Sequence, residues 1–163
     1  MCGFFGWLKF ENYGDLSDKE IMDARLATTL LKHRGPDDFG EWQKSNLYMG
    51  HHRLRILDLS QKAAQPFLSS DGCFILSYNG EIYNFQNLRD KLISLGYVFN
   101  TKTDTEVLLH AYEAWGDDCL KYIHGMFAFA IWDENKRRIF LVRDRLGVKP
   151  FYYAKQKNKL IFA

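Results

Sequence analysis

Apolar residues open the chain as a continuous run over residues 3–8, which reads as a buried strand. After the turn-forming Asn12-Tyr13-Gly14-Asp15, Ser17 with Glu20 three residues on has the form of a capping box. It opens a helix whose apolar positions Ile21, Ala24, Ala27, Leu30 and Leu31 recur at helical spacing. That helix is predicted to run to His33-Arg34-Gly35-Pro36, where glycine and proline stop it. Residues 39–43 and 46–57 read as strands joined at Lys44-Ser45-Asn46, 58–72 as a long loop, and 73–79 as another apolar strand. Leu88, Leu92 and Leu95 mark a helix over 86–95 closed by Gly96, and 97–99 is predicted to be a short strand. Val107, Leu108, Ala111 and Trp115 mark a third helix, 104–115, ended by Gly116, with a shorter helical piece over 117–123. Residues 126–132, 138–142, 151–154 and 159–162 complete the strands.

Strands outnumber helices, and 126–132 is apolar at every position, as a strand buried on both faces must be. Helices fall between clusters of strands and do not follow each strand. That favours an α+β fold over a doubly wound one, with sheet packed on sheet and helices outside.

Composition adds limits. The chain of 163 residues, 47% hydrophobic and 16% aromatic, is long enough for one domain with a real core. A net charge of +2 with acids and bases interspersed gives no basic stripe for nucleic acid. The three cysteines Cys2, Cys73 and Cys119 are too few and too scattered for a disulfide framework or a zinc ribbon, which favours a reducing compartment. Lys9 and Glu11 interrupt the first apolar run too early for a signal peptide, and no stretch reaches membrane-spanning length. The cytoplasm is the default.

Candidate chemistry starts at Cys2. Removal of Met1 leaves one residue with both a thiol and a free α-amine, a nucleophile and a base side by side. Their reference pKa values, about 8.5 and roughly 7.7–8.0, let both exchange protons near neutrality. Arg53 is either an edge arginine or a fork for a carboxylate, and alternation would put it on one face with His51 and Arg55. Asn79-Gly80 is either a hairpin turn or a pair of donors aimed at an oxyanion; strand sequence continuing through Ile82 and Tyr83 fits a tight turn poorly. Thr103-Asp104 is either a helix cap or a carboxylate placed for a substrate ammonium. His51 and His52, neighbours in a strand, point to opposite faces and cannot easily share a metal, and no four-ligand set is visible. His33 reads as structural, and no phosphate-binding Gly-x-x-x-x-Gly-Lys motif occurs.

Taken in order, Met1-Cys2-Gly3, His33-Arg34-Gly35-Pro36-Asp37, 51–57, Asn79-Gly80-Glu81-Ile82-Tyr83-Asn84, Asp104 with Glu106, 125–130 and Arg143-Asp144-Arg145-Leu146-Gly147 to Phe162 span the chain. Together they resemble the class II glutamine amidotransferase domain, of the N-terminal-nucleophile type, in glutamine-hydrolysing asparagine synthetases. The resemblance implies a four-layer αββα sandwich of two antiparallel sheets over residues 1–163. It implies Cys2 as nucleophile, Asn79 and Gly80 as the oxyanion hole, and Arg53 as the clamp on the glutamine α-carboxylate. Leu54, Arg55, Ile56 and Leu57 would line that pocket, and Glu81 and Asp104 would surround the α-ammonium. The implied reaction is L-glutamine to L-glutamate and ammonia through a thioester. The implied partner is an ATP-dependent synthetase domain that follows in family members, with ATP and magnesium belonging to that domain, no metal or cofactor here, and a homodimer as the assembly. Relatives that amidate sugars or secondary metabolites, and a domain that binds without catalysis, are the alternatives. Many relatives carry Glu and Ser where His52 and Arg55 stand here.

Overall fold

The computed structural model describes residues 1–163. One five-stranded antiparallel sheet has the order β2-β3-β1-β9-β8, with β1 Gly3–Lys9, β2 Asp38–Lys44, β3 Leu47–Arg53, β8 Tyr153–Lys155 and β9 Lys159–Phe162. A second, four-stranded and also antiparallel, has the order β4-β5-β6-β7, with β4 Phe67–Leu68, β5 Phe74–Ile82, β6 Gly125–Asp133 and β7 Arg138–Arg143. Three helices, α1 Asp18–Thr29, α2 Phe85–Ser94 and α3 Asp104–Trp115, lie outside the sheets.

The cores show four layers. Phe5, Trp7 and Tyr48 of the first sheet pack with Leu16 and with Ala24 of α1. On the other faces of the same strands, Phe4, Leu47, Met49 and Phe162 meet Ile75, Ala128, Ala130 and Trp132 of the second sheet. The far side of that sheet, Leu76, Tyr78, Phe129 and Ile131, packs with Leu88 and Leu92 of α2 and Val107, Leu108 and Ala111 of α3. The α+β sandwich expected from the strand count is the fold observed. No helix is long and apolar enough to cross a membrane.

Local chemistry explains most element ends. The Ser17–Glu20 capping box is formed in both directions at the start of α1. The helix stops at Thr29, short of the predicted Gly35-Pro36: Thr28 and Thr29 bond back to the carbonyls of Ala24 and Arg25, and Leu31 and Lys32 continue as tighter three-residue turns. The strand expected over 46–57 is β3, which ends at Arg53 and not at 57. Beyond it the Leu54 N–H turns to the Cys2 Sγ and the Arg55 N–H to the Asp37 carboxylate, so the chain leaves the ladder. Residues 97–99 are not a strand. Gly96, at φ 95°, turns the chain so that the Tyr97 N–H closes the end of α2 on the Leu92 carbonyl, and Tyr97 and Phe99 pack on His110. The expected loop over 58–72 contains β4, a two-residue edge strand.

Gly6 faces the inter-sheet layer opposite Phe162, and a Cβ there would fall inside the Phe162 ring. Gly6→Ala is expected to lower stability by about 1–3 kcal/mol, the usual cost of overpacking a filled core. A shifted urea midpoint with an unchanged m-value would show it.

Candidate active site

Cys2 stands one residue before the paired stretch of β1. Gly3 lies opposite His52, so continuing the register places Cys2 against Arg53 at the end of β3. Its thiol is half-buried, accepts from the Leu54 N–H at 3.4 Å, and lies 3.8 Å from the Leu54 carbonyl. Burial pushes the thiol pKa up. The Leu54 bond, the N-terminal ammonium and the Arg53 charge pull it back, and the Asp104 charge adds to the rise.

Beside the thiol, one cleft holds two buried charges of opposite sign. Arg53 is 5% exposed, and it spends two donors on the main-chain carbonyls of Ser60, at 3.0 Å, and Asp58. No carboxylate in the chain pairs with it. Burial is the main influence on its pKa and lowers it. Asp104, 6% exposed, is the first residue of α3, capped by Thr103. One of its oxygens accepts from the Tyr78 hydroxyl at 2.7 Å and the Ile82 N–H at 3.0 Å, and no lysine or arginine pairs with it. Burial raises its pKa, and the hydrogen bonds from Tyr78 and Ile82 oppose that rise. A buried ion without a counter-ion is costly. A fixed cation and a fixed anion lining one cleft are complementary to a zwitterion, a free α-amino acid.

The third component comes from an unfilled sheet edge. β4 covers β5 only opposite Ile75 and Leu76. Past that point, alternate residues of β5 turn their backbone groups outward. The Tyr78 N–H is taken by the Gln65 side chain at 2.7 Å and the Ile82 N–H by Asp104. Gly80 lies between them on the same edge, and its N–H faces the cleft. Asn79 projects from the sheet face towards the start of β1, where it and Cys2 line a second hollow with His33 and Arg34. Asn79-Gly80 is therefore mid-strand, paired with Ala128 and Phe127, and is not a hairpin turn. The thiol sits where both hollows meet, so a group attacked by Sγ has donors on two sides, an arrangement suited to a developing oxyanion.

Cys2, Arg53, Leu54, Ile56, Leu57, Gly80, Glu81 and Asp104 all line the first cleft, with Ile56 and Leu57 on its exposed wall and Glu81 at its exposed rim. Arg55 does not line it. Because β3 has already ended, Arg55 swings outward to Asp38, at 3.4 Å, and to the Leu59 carbonyl. Tyr78, Gln65, Asp58, Thr103 and Thr105 also line the cleft. A tyrosine in an apolar strand reads as core, and only Gln65 beside Pro66, a polar side chain held in a loop, carried any signal. His51 and His52 leave β3 on opposite faces, His51 against the Tyr78 carbonyl and His52 against the Phe39 ring. No three His, Cys, Asp or Glu side chains are placed to hold a metal ion.

With this geometry in hand, comparison with known proteins is informative. The glutamine amidotransferase domain family matches residues 1–163. The chain is 42% identical over 164 residues to asparagine synthetase [glutamine-hydrolyzing] 3 of Bacillus subtilis, covering 99% of this chain and 26% of that protein. It is 41% identical over 183 residues to the putative asparagine synthetase [glutamine-hydrolyzing] 2 of Methanocaldococcus jannaschii, covering all of this chain and 34% of that one. The chain thus spans about a quarter to a third of the length of these relatives. Among solved structures, glutamine phosphoribosylpyrophosphate amidotransferase of B. subtilis superposes with a TM-score of 0.74 at 22% identity, over 98% of this chain and 41% of that one, a likeness of fold.

The two buried charges should move the thiol in opposite directions. Arg53→Met removes a cation that favours the thiolate, so the pH midpoint for alkylation of Cys2 by iodoacetamide should rise. Asp104→Asn removes an anion that opposes it, so the midpoint should fall. Peptide mass mapping separates Cys2 from Cys73 and Cys119 and reads both shifts.

Proposed function

The chain belongs to the glutamine amidotransferase domain family, and from that premise we propose that it hydrolyses L-glutamine to L-glutamate and ammonia through a thioester on Cys2. The observation that carries this reading is the pair of buried, mutually unneutralised charges, Arg53 and Asp104, flanking one thiol in one cleft. Arg53 has donors left over from its two carbonyl bonds for a bidentate grip on the α-carboxylate. Asp104, with Glu81 at the rim, receives the α-ammonium. The side chain of a ligand held so reaches towards Cys2.

The base takes the Cys2 thiol proton as the sulfur attacks the amide carbon, forming the C–S bond and moving the carbonyl π pair onto oxygen. The Asn79 amide and the Gly80 N–H hold that oxyanion. As it collapses the C–N bond breaks, and nitrogen leaves as ammonia with a proton from the catalytic base. Water then attacks the thioester, giving a proton to the same base; the C–S bond breaks, and the base returns that proton to the sulfur as glutamate departs. The base is the α-amine of Cys2, available once Met1 is removed, because the amide nitrogen that Met1 imposes is not basic near pH 7. Leu54, Ile56 and Leu57 form an apolar wall of the cleft, which Arg55 does not line.

In the parent protein the ammonia is delivered to an amidation of the asparagine-synthetase type, carried by a further domain that uses ATP and magnesium. The glutaminase half uses neither. The relatives' greater length and printed activity support this. The three free cysteines support the reducing cytoplasm as its place, and the parent is expected to act as a homodimer.

Two measurements test the reading. Glutamate release should vanish in Cys2→Ala with circular dichroism unchanged, and a preparation that retains Met1 should be inactive where one beginning at Cys2 is active. Equal rates from the last two overturn the α-amine role. Asn79→Ala should lower kcat by about 10²–10³ while KM changes little, since the amide donates chiefly to the oxyanion; an unchanged kcat removes Asn79 from the site.

A further inference from the structure

His51 is fully buried, and the chemistry above does not use it. It shares a face of β3 with Leu47, Met49 and Arg53, so its ring lies between the sheets, in a layer whose apolar members include Phe4, Ile75, Ala128, Ala130 and Trp132 and which also holds the buried Ser77 and Asn79 of β5. An imidazole there is expensive, because its polar atoms lose water. The cost is only half offset: Nε2 lies 3.1 Å from the Tyr78 carbonyl, while Nδ1 has no partner. Burial pushes the His51 pKa down to about 4, so the ring is neutral near pH 7. A carbonyl can only accept, so the single ring proton is on Nε2, and His51 donates.

The acceptor is what makes this bond consequential. Tyr78 lies on the stretch of β5 that β4 leaves uncovered, and its three polar groups are each held by a different part of the chain. Gln65 takes the N–H, Asp104 takes the hydroxyl, and His51 takes the carbonyl. The carbonyl belongs to the peptide that leads into Asn79, one residue before the Gly80 N–H that faces the cleft. His51 itself stands two residues before Arg53 on the strand beside the nucleophile strand. Its bond therefore ties the sheet carrying Cys2 and Arg53 to the sheet carrying Asn79 and Gly80, at the level of the site. The hydrophobic effect between sheets is non-directional, whereas a hydrogen bond near 3 Å has a direction and so fixes one group against another.

We propose that His51 is a positioning residue, which sets the oxyanion donors of β5 against the Cys2 sulfur through its hydrogen bond to the Tyr78 carbonyl. This rests on the glutaminase reading given above. Misplacement of about 1 Å in such a site costs up to about 100-fold in rate, so loss of the bond should act on kcat and spare the charges that bind the amino acid.

Three variants of the Cys2-initiated protein decide it. His51→Leu fills the space without a donor. His51→Gln places its amide nitrogen where Nε2 lies, and His51→Asn keeps a shorter amide that falls short of Tyr78. In His51→Leu, kcat for glutamine should fall about tenfold or more. KM should stay within about twofold, the urea midpoint should not drop, and the rate of Cys2 alkylation by iodoacetamide, which needs no oxyanion hole, should be unchanged. His51→Gln should recover most of kcat and His51→Asn should not. Equal kcat in the Gln and Asn variants, or an undiminished kcat in a folded Leu variant, overturns the proposal, and the Gln–Asn comparison decides even if His51→Leu does not fold. Failure of the wild type to release glutamate would strike the glutaminase reading itself, a result separate from any difference among the variants.

Discussion

Two charges that the fold keeps apart are the constraint around which the rest of the structure is arranged. Arg53 and Asp104 are both buried and line one cleft, and neither has an ionic partner in the chain. Left to themselves, a guanidinium and a carboxylate would pair. They do not, because each is held from behind by neutral groups. The Asp58 and Ser60 carbonyls hold Arg53, and the Tyr78 hydroxyl and Ile82 N–H hold Asp104. The desolvation this entails is a loss of stability that the three apolar layers must cover. What is gained is a cleft whose two fixed charges are complementary to those of a zwitterion.

The same economy governs the backbone. An exposed strand edge is ordinarily a liability. Here β4 is cut to two residues, and the edge it leaves on β5 is nearly all used: Gln65, His51 and Asp104 satisfy Tyr78 and Ile82, and the Gly80 N–H between them remains for the cleft. The loop over 54–60 closes the opposite wall. Its Asp58 accepts from the Lys102 N–H while the Asp58 carbonyl accepts from Arg53, so one residue joins the end of β3 to the lead-in of α3.

Much of this was legible in the sequence, and the part that was not has a physical reason. The bounds of α3 could be read to the residue, because an apolar period and a terminal glycine agree there, while its cap could be narrowed only to Thr103 or Asp104 and the structure selects Thr103. Asn79-Gly80 could be kept out of a turn because apolar residues continued beyond it. The stretch 54–57 could not be read correctly, since periodicity carries a strand onward while the actual stop is a long-range bond from Leu54 to Cys2; the placement of Arg55 failed with it. Tyr78 was hidden for a different reason: an aromatic in an apolar strand is ordinary core until its hydroxyl is seen on Asp104. The α1 end was obscured by two threonines whose bonds back to the helix no apolar pattern records.

The pairing of β1 with β9 has a kinetic meaning. Gly6 to Lys9 pair with Phe162 to Lys159, so the strand that follows Cys2 is flanked on one side by residues far from it in sequence. Contacts of such sequence separation form late, because the loop entropy must be spent before they reward it. The strand that follows Cys2 thus has β3 as its near neighbour in sequence and gains its second flank only when residues 159–162 dock beside it. The flank of β1 is therefore completed by a long-range contact, later than the pairings between strands closer in sequence.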